Sequence, residues 1–260
     1  MAINDNMYKF GEFARKVRVA LTPRFCFLRT TLSNGAVVLG RNRAGFGGRG
    51  IYVFRDALEP ELQHLERLLP EAGVFVDVGA NTGVYTLKAA KHFSDQGVVL
   101  ALEPFLDVLN TLERSVDLNG FSNVRLRNLC AGRATSASIF WKNFGEPHNF
   151  SSVKNDAHAR PLSVLTVALD DLFEWEKLDR LDYLKVDVEG GEAEVLAGAT
   201  KIVQRYRPII QVEVQFKDVN LELADYAVWH APNSVNRLYV PKEHPQIAAL
   251  ADLGWQTRCP

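Results

Sequence analysis

The alternation of short apolar segments with longer amphipathic ones, which begins at Gly73, most constrains what this chain can fold into. The apolar segments are rich in Val, Ile and Leu and have the length of buried strands, while the segments between them have helical spacing. Such a pattern is typical of a parallel sheet covered by helices on both faces. It predicts strands at 74–78, 98–103, 124–129, 183–188 and 208–214. Helices are predicted at 84–92, 107–118 and 193–205, and the stretch between the third and fourth strands is less regular.

The first helix of the chain has two interpretations. Phe10, Phe13 and Val17 recur at helical spacing, and Pro23 ends the helix. The basic residues around them are Lys9, Arg15, Lys16 and Arg18. A basic amphipathic helix can lie on an acidic membrane. We favour a helix that packs on the domain or on the second subunit of a homodimer, because few charges contribute.

A hairpin and a second helix follow before the alternating pattern begins. Asn34-Gly35 supplies the tight turn of a predicted hairpin whose strands lie at 29–32 and 36–39. The Leu spacing predicts a helix at 60–69. We therefore divide the chain into an N-terminal part, residues 1–72, which packs on the core, and a main domain, residues 73–260.

Charge and cysteine content exclude several classes of protein. Thirty Lys and Arg face thirty-one Asp and Glu, whereas a nucleic-acid-binding protein usually has a basic excess. The three cysteines form no C-x-x-C pair, which argues against a disulfide framework and a thiolate metal site. No apolar run has the length of a membrane span, and the N-terminus lacks the apolar core of a signal peptide. We therefore expect a soluble, cytoplasmic protein with no nucleic-acid partner and no transmembrane segment.

The turn after the first predicted strand is the first candidate binding site. Ligands of parallel sheets bind beyond the carboxyl ends of the strands, and Gly79 and Gly83 allow a sharp turn with close approach to a ligand. Glu103 ends the next strand, twenty residues after Gly83. At that spacing a carboxylate reaches the two ribose hydroxyls of a nucleoside. The two features together predict a nucleoside cofactor.

The residues of this turn favour one kind of nucleoside. A dinucleotide fingerprint needs a glycine where Asn81 stands, so that a pyrophosphate can touch the backbone. No P-loop sequence is present. Asp77, before the first glycine, would repel phosphate but suits a ligand with ammonium and sulfonium charges. S-adenosylmethionine is such a ligand.

These motifs resemble those of the FkbM family of S-adenosylmethionine-dependent methyltransferases. The segment 76–83 is similar to that family's cofactor loop, and 102–105 to its ribose-binding motif. The most specific stretch is 181–192, LDYLKVDVEGGE, which is similar to the family's hallmark block. The resemblance covers roughly residues 73 to 215.

The resemblance implies a fold and a reaction. It implies an α/β, Rossmann-like class I methyltransferase fold, with a mostly parallel seven-stranded sheet, helices on both faces and a final antiparallel hairpin. Residues 73–260 would then be the methyltransferase domain. It also implies methyl transfer, usually to oxygen, with acceptors that include sugars, glycolipids and polyketide-type metabolites. We therefore expect a small-molecule or glycan acceptor.

The cofactor contacts follow from the two motifs and from the strand ends. Asn128 and Ala131 are placed near the adenine by topology, and Asp187 lies at the end of the fourth strand. The complete set of predicted cofactor-binding residues is Asp77, Gly79, Asn81, Thr82, Gly83, Glu103, Pro104, Phe105, Asn128, Ala131 and Asp187.

The acceptor hydroxyl must lose a proton, which calls for a general base. Our hypothesis is that Asp187 or Glu213 takes this proton while Glu189 positions the acceptor. His148, in a loop rich in Gly, Pro and Asn, is a further candidate base. The carboxylates of Asp187, Glu189 and Glu213 leave Mg²⁺ open as a less favoured cofactor, and we assign no metal ligands.

Two other functions stay open at this point. One is a nicotinamide-dependent oxidoreductase on a related sheet, against which Asn81 speaks. The other is a non-catalytic module that keeps the fold and has lost methyl transfer. We favour the methyltransferase.

Overall fold

The computed structural model describes residues 2–142, 150–151, 160–188, 190–214, 223 and 225–257. Within these ranges the chain forms an eight-stranded sheet, a four-stranded sheet and a two-stranded hairpin. No helix in this part of the chain is long and apolar enough to cross a bilayer.

The N-terminal elements agree with the predicted helix, hairpin and helix. Helix α1 spans Ala2–Leu21, and the hairpin consists of β1 (Phe27–Thr31) and β2 (Val37–Arg41). Gly35 in its turn has a φ of +86°, which glycine adopts without strain. Two helices follow, α2 (Ile51–Phe54) and α3 (Pro60–Leu68).

The central sheet confirms the predicted doubly wound arrangement. Its strands, in chain order, are β3 (Val74–Val78), β4 (Val98–Leu102), β5 (Val124–Arg127), β10 (Tyr183–Val186), β11 (Ile209–Glu213), β12 (Tyr226–His230), β13 (Asn236–Pro241) and β14 (Gln256–Thr257). Their order across the sheet is β14-β12-β13-β11-β10-β3-β4-β5. The strands from β11 to β5 are parallel, and β13 and β12 form the final antiparallel hairpin. The expected number of seven strands was one too low, because β14 adds to the edge of β12.

Helices cover both faces of this sheet. They are α4 (Val84–Phe93), α5 (Leu106–Asn119), α6 (Leu169–Glu176), α7 (Glu192–Ala197), α8 (Thr200–Tyr206) and α9 (Ile247–Asp252). The single helix predicted at 193–205 was wrong, since the chain breaks between α7 and α8 at Gly198. There the backbone approaches Gly132 so closely that a Cβ on Gly198 would lie 2.0 Å from the Gly132 carbonyl oxygen. The carboxylate of Asp170 accepts from the N–H groups of Lys201 and Ile202 and so caps α8.

A second sheet occupies the stretch that the sequence left irregular. It consists of β6 (Cys130–Ala131), β7 (Ser136–Lys142), β8 (Phe150–Ser151) and β9 (Arg160–Val167), in the order β6-β9-β7-β8. Strand β9 buries Val164 but leaves Leu162 and Leu165 exposed. Apolar residues therefore lie on both faces of this strand, and the alternation that would have revealed it is weak.

Each face of the central sheet has its own apolar layer. Phe75 points into a layer that includes Leu32 and Val38 from the hairpin and Leu62 from α3. Val76, one residue on, points into the opposite layer with α6, α7 and α8. The N-terminal elements thus cover one face of the sheet, while the boundary between residues 72 and 73 stays a prediction.

A buried ion pair joins the N-terminal part to the sheet. The Lys88 side chain on α4 is fully buried and donates to the carboxylate of Asp56, which precedes α3. The Ser33 hydroxyl, in the turn of the hairpin, also donates to Asp56, over 2.5 Å. Buried charges are tolerated when they are paired in this way, so the contact fixes the hairpin against α4.

Candidate active site

A cavity of about 530 Å³ opens at the carboxyl ends of β3, β4 and β10. Its walls come from the turns after these three strands and from β6, β7 and β9 of the second sheet. Seven of the predicted cofactor residues line it: Gly79, Asn81, Glu103, Pro104, Phe105, Ala131 and Asp187. The structure therefore brings most of the predicted cofactor residues together in one place.

Glu103 is held in a fixed orientation at the cavity wall. One carboxylate oxygen accepts from the backbone N–H of Asn81 at 2.9 Å, and the other from that of Phe105 at 2.9 Å. The side chain of Asn128 supports this turn, because its amide donates to the carbonyl oxygens of Glu103 and Pro104. Each carboxylate oxygen keeps a further lone pair for a hydroxyl donor. The glycine turn and the acid twenty residues downstream are thus in direct contact, as the spacing indicates.

Burial changes the protonation of Glu103. Glu103 is 5% exposed, and desolvation raises the pKa of its carboxyl group to about 7. The hydrogen bonds from the N–H groups of Phe105 and Asn81 lower this pKa but do not outweigh the desolvation. Near neutral pH the group is therefore partly protonated, and a ligand that donates hydrogen bonds to it favours the charged form.

The charged residues around the cavity are mainly acidic. Among the lining residues in the described ranges, Glu103, Asp187 and Glu194 carry carboxylates and Arg133 carries the basic group. Arg133 donates to both carboxylate oxygens of Glu194, at 2.9 and 3.0 Å. Its charge is therefore already compensated. This arrangement suits a cationic ligand better than a pyrophosphate.

Asp187 and Glu213, the two predicted bases, also meet. The side chain of Glu213 at the end of β11 makes a hydrogen bond to Asp187, which follows β10. Burial opposes the charge on Asp187, but Lys185 and the bond from Glu213 keep the pKa of Asp187 below its usual range. The carboxylate of Asp187 is therefore charged, and its side chain is 35% exposed.

Lys185, in strand β10, is the basic residue that contacts Asp187. Its ammonium group donates to Asp187 at 3.0 Å and lies 3.6 Å from a carboxylate oxygen of Asp77. Burial acts against its charge, yet Asp187 and Asp77 raise the pKa of Lys185 above its ordinary value. It also lies over the ring of Tyr85, 5.0 Å from the centroid.

A chain of buried polar side chains extends from β10 to Glu59, the residue before α3, and no sequence pattern indicates it. The hydroxyl of Tyr85 donates to Glu59 at 2.6 Å and accepts from the amide of Gln211 at 3.0 Å. Gln211 in turn accepts from the hydroxyl of Tyr183 at 2.8 Å. These residues come from distant parts of the sequence and have no common spacing, so only the fold reveals the group.

Four predicted cofactor residues lie outside the cavity lining. Asp77 is buried below the turn, where its carboxylate accepts from the N–H and hydroxyl of Thr86. Thr82 is buried and packs against Gly47 in the loop before α2. The packing is so close that a Cβ on Gly47 would lie 2.2 Å from the hydroxyl oxygen of Thr82. Gly83 begins α4, and Asn128 supports the turn at Glu103. Their direct contact with a cofactor stays a prediction.

Two predicted catalytic residues, His148 and Glu189, lie outside the described residues. In the described part of the chain, no group of three or more His, Cys, Asp or Glu side chains is placed to hold a metal ion. Cys130 lines the cavity as a buried free thiol, and burial raises its pKa to about 12. It is therefore a packed thiol rather than a nucleophile.

The strand order and the site at the carboxyl edge define the class of fold found in Rossmann-like methyltransferases. The model of the methyltransferase FkbM domain matches residues 77–240, which is more than half of the chain. The chain belongs to the FkbM methyltransferase family.

Two fungal proteins are similar in sequence. Methyltransferase 1 of Beauveria bassiana (strain ARSEF 2860) is 29% identical over 149 residues, which cover 50% of this chain and 59% of that protein. Methyltransferase sdnD of Sordaria araneosa is 27% identical over 215 residues, which cover 65% of this chain and 82% of that protein. The chain thus spans less than two thirds of the first of these relatives.

Solved structures show remote similarity. The methyltransferase FkbM from Methylobacillus flagellatus KT has a TM-score of 0.47 at 19% identity, over 74% of this chain and 52% of that one. A SAM-dependent methyltransferase from Agrobacterium tumefaciens has a TM-score of 0.43 at 10% identity, over 76% and 54% of the two chains.

The tight packing at Gly79 gives a testable prediction about the cavity turn. Gly79 has a φ of +77°, and a Cβ there would lie 1.9 Å from the carbonyl oxygen of Asp187. Gly120 is a matched control, because it has a φ of +65° but no atom within 4 Å of such a Cβ. Gly79→Ala should lower the free energy of unfolding in urea by about 1–3 kcal/mol more than Gly120→Ala. Equal losses in the two variants would contradict the close approach of the turn to Asp187.

Proposed function

We propose that this protein transfers a methyl group from S-adenosylmethionine to a hydroxyl group of a small-molecule, sugar or glycolipid acceptor. Membership of the FkbM methyltransferase family supports methyl transfer in general. The observation that carries the proposal is the presence of two acidic groups at one sheet edge: the oriented carboxylate of Glu103, and Asp187 with Glu213, which follow paired residues of neighbouring strands. The hydroxyl as nucleophile, the acceptor class and a cytoplasmic location are parts of this proposal.

The residues of the cavity fit this methyl donor. Glu103 would accept from the ribose hydroxyls, and Gly79 lines the cavity at the turn beside it. Carboxylates outnumber basic groups among the described lining residues, and this suits sulfonium and ammonium charges. A dinucleotide would instead need a basic group or a backbone seat for its pyrophosphate, but Arg133 is already paired with Glu194. The charge of the site therefore argues for the methyl donor over a nicotinamide dinucleotide.

Catalysis rests on alignment and on removal of a proton. When bound, S-adenosylmethionine would supply an electrophilic methyl group on its sulfonium. Asp187 lines the cavity and is held charged by Lys185, so its carboxylate is the group that would accept the proton of the acceptor hydroxyl. A carboxylate of low pKa suffices, because the hydroxyl oxygen becomes strongly acidic as its bond to carbon forms. Glu213 would position Asp187 through their hydrogen bond, and we retain Glu189 as the residue that would position the acceptor.

The nature of the product can be tested with isotopically labelled methyl donor. The protein is incubated with the donor and with fractions of small-molecule, glycan and lipid extracts. Label should enter an acceptor in a form that survives mild base, as a methyl ether does. Label released as methanol by mild base would indicate a carboxyl ester and would contradict transfer to a hydroxyl.

The raised pKa of Glu103 leads to a prediction of proton release. In the free protein the group titrates at about 7, and hydrogen bonds from ribose hydroxyls favour its charged form, so ligand binding lowers this pKa. Binding of 5′-methylthioadenosine, which has the ribose hydroxyls but no amino-acid group, should release roughly one proton at pH 6 and far less at pH 8. Its affinity should accordingly rise with pH between about 5 and 7.

Calorimetric titration in buffers of different ionisation enthalpy measures this release. Glu103→Gln should weaken binding about ten- to hundredfold, because charge-assisted hydrogen bonds are lost, and should remove the pH dependence. 2′,3′-Dideoxyadenosine, which lacks both hydroxyls, is the ligand control and should show no proton release. Equal proton release by the two ligands would refute the role of Glu103.

The two members of the carboxyl pair should differ in their effect on turnover. Asp187→Asn removes the proton acceptor and should lower kcat by about 10²–10⁴-fold, a much larger effect than any on the affinity for the methyl donor. Glu213→Gln keeps a hydrogen-bond donor to Asp187, so it should lower kcat by less than about tenfold. Undiminished turnover of Asp187→Asn with intact donor binding would remove Asp187 from this role, and a larger loss in Glu213→Gln would assign the proton to Glu213.

A further inference from the structure

Helix α1 presents its apolar side to solvent. Phe10, Phe13, Val17 and Leu21 follow one another at helical spacing and form one stripe, which we call the α1 stripe. Their exposed fractions are 75%, 64%, 42% and 80%. A helix at the surface of a globular protein usually turns such a stripe toward the core. The α1 stripe is therefore a surface that requires a partner.

The helix is attached to the rest of the protein by its polar side. Arg15 donates to the carbonyl oxygen of Val53 at 2.6 Å, and this contact joins α1 to α2. Near the end of the helix, the amide of Asn42 donates to the carbonyl oxygen of Val19 at 3.0 Å. Arg15 and Val19 are both half-buried and lie one turn apart on this side. These contacts fix the rotation of α1 with its stripe outward.

Basic residues border the α1 stripe. Lys16 and Arg18 are exposed and precede and follow Val17, so they lie about 100° to either side of it. Lys16 also pairs with Glu12 at 2.6 Å. Beyond the helix, Arg24 is exposed and Phe25 is 72% exposed. Residues 1–25 carry five Lys and Arg against two Asp and Glu, although the whole chain has a net charge of −1.

We propose that α1 lies on the surface of an anionic lipid bilayer, with the α1 stripe inserted at the boundary between headgroups and acyl chains. An apolar stripe with basic borders is complementary to such a surface in both polarity and charge. A second copy of the chain fits less well, since it would bring two identical sets of basic residues together. This proposal does not depend on the reaction proposed above. Membrane contact is the interpretation of this helix that its sequence pattern favoured less.

Vesicle flotation with the 260-residue chain tests the proposal directly. The protein should float with vesicles of phosphatidylcholine that contain about one third phosphatidylglycerol, and several-fold less with phosphatidylcholine alone. Raising NaCl from about 0.1 to 0.5 M should lower the bound fraction several-fold, because salt screens the lipid charge. A protein that stays at the bottom of the gradient with both kinds of vesicle overturns the proposal.

Substitutions locate the binding surface. Phe13→Glu with Leu21→Glu should lower the bound fraction at least about tenfold, because the stripe loses its apolar character and gains negative charge. The matched control is Leu118→Glu with Trp175→Glu, which makes the same change in charge at side chains that are 49% and 56% exposed on α5 and α6. The control should float like the unmodified protein. Equal flotation of the two double variants overturns the assignment to α1.

Light scattering in solution tests the other possible partner of the α1 stripe, a second copy of the chain. The unmodified chain and both double variants should have the same mass in the absence of vesicles. The unmodified chain could instead be a dimer that does not bind vesicles. If only the variant with Phe13→Glu and Leu21→Glu were then a monomer, the α1 stripe would contact a second copy and the proposal would be overturned. Circular dichroism with thermal melting verifies that each variant is folded.

Discussion

The carboxyl edge of the central sheet depends on one interaction, the contact of the buried ammonium group of Lys185 with two carboxylates. Strands β3 and β10 are neighbours, and each brings an acid to this edge: Asp77 near the end of β3 and Asp187 after β10. Two enclosed carboxylates would repel each other and take up protons. Because Lys185 contacts both, Asp77 can hold the start of α4 through Thr86 while Asp187 stays charged at the cavity. The chemistry proposed for Asp187 thus depends on a buried cation that is not among the residues lining the cavity.

Much of the fold and the central part of the site could be predicted, because both follow from local patterns. The strand–helix alternation indicates a parallel sheet, and parallel strands end at the same edge of a sheet. The contact between the turn at Asn81 and Glu103 follows from that topology and from a spacing of about twenty residues. Asp187 and Glu213 end adjacent strands, so their meeting could be expected for the same reason.

The remaining features depend on contacts that no local pattern records. Tyr85, Glu59 and Gln211 meet across the fold, and nothing in their spacing indicates it. The second sheet was missed because β9 has apolar residues on both faces, and the break at Gly198 arises from its approach to Gly132. The hydrophobic spacing of α1 was recognised, but the sequence could not say which way its apolar side faces. Orientation was decided by the polar contacts of Arg15 and Asn42.

Calorimetric titration of the protein with S-adenosylmethionine, and separately with NAD, tests the central claim most directly, because that claim is the kind of nucleoside held between the glycine turn and Glu103. The account predicts saturable binding of the methyl donor at one site per chain and no measurable binding of NAD at the same concentrations. Saturable binding of NAD without binding of S-adenosylmethionine would contradict it.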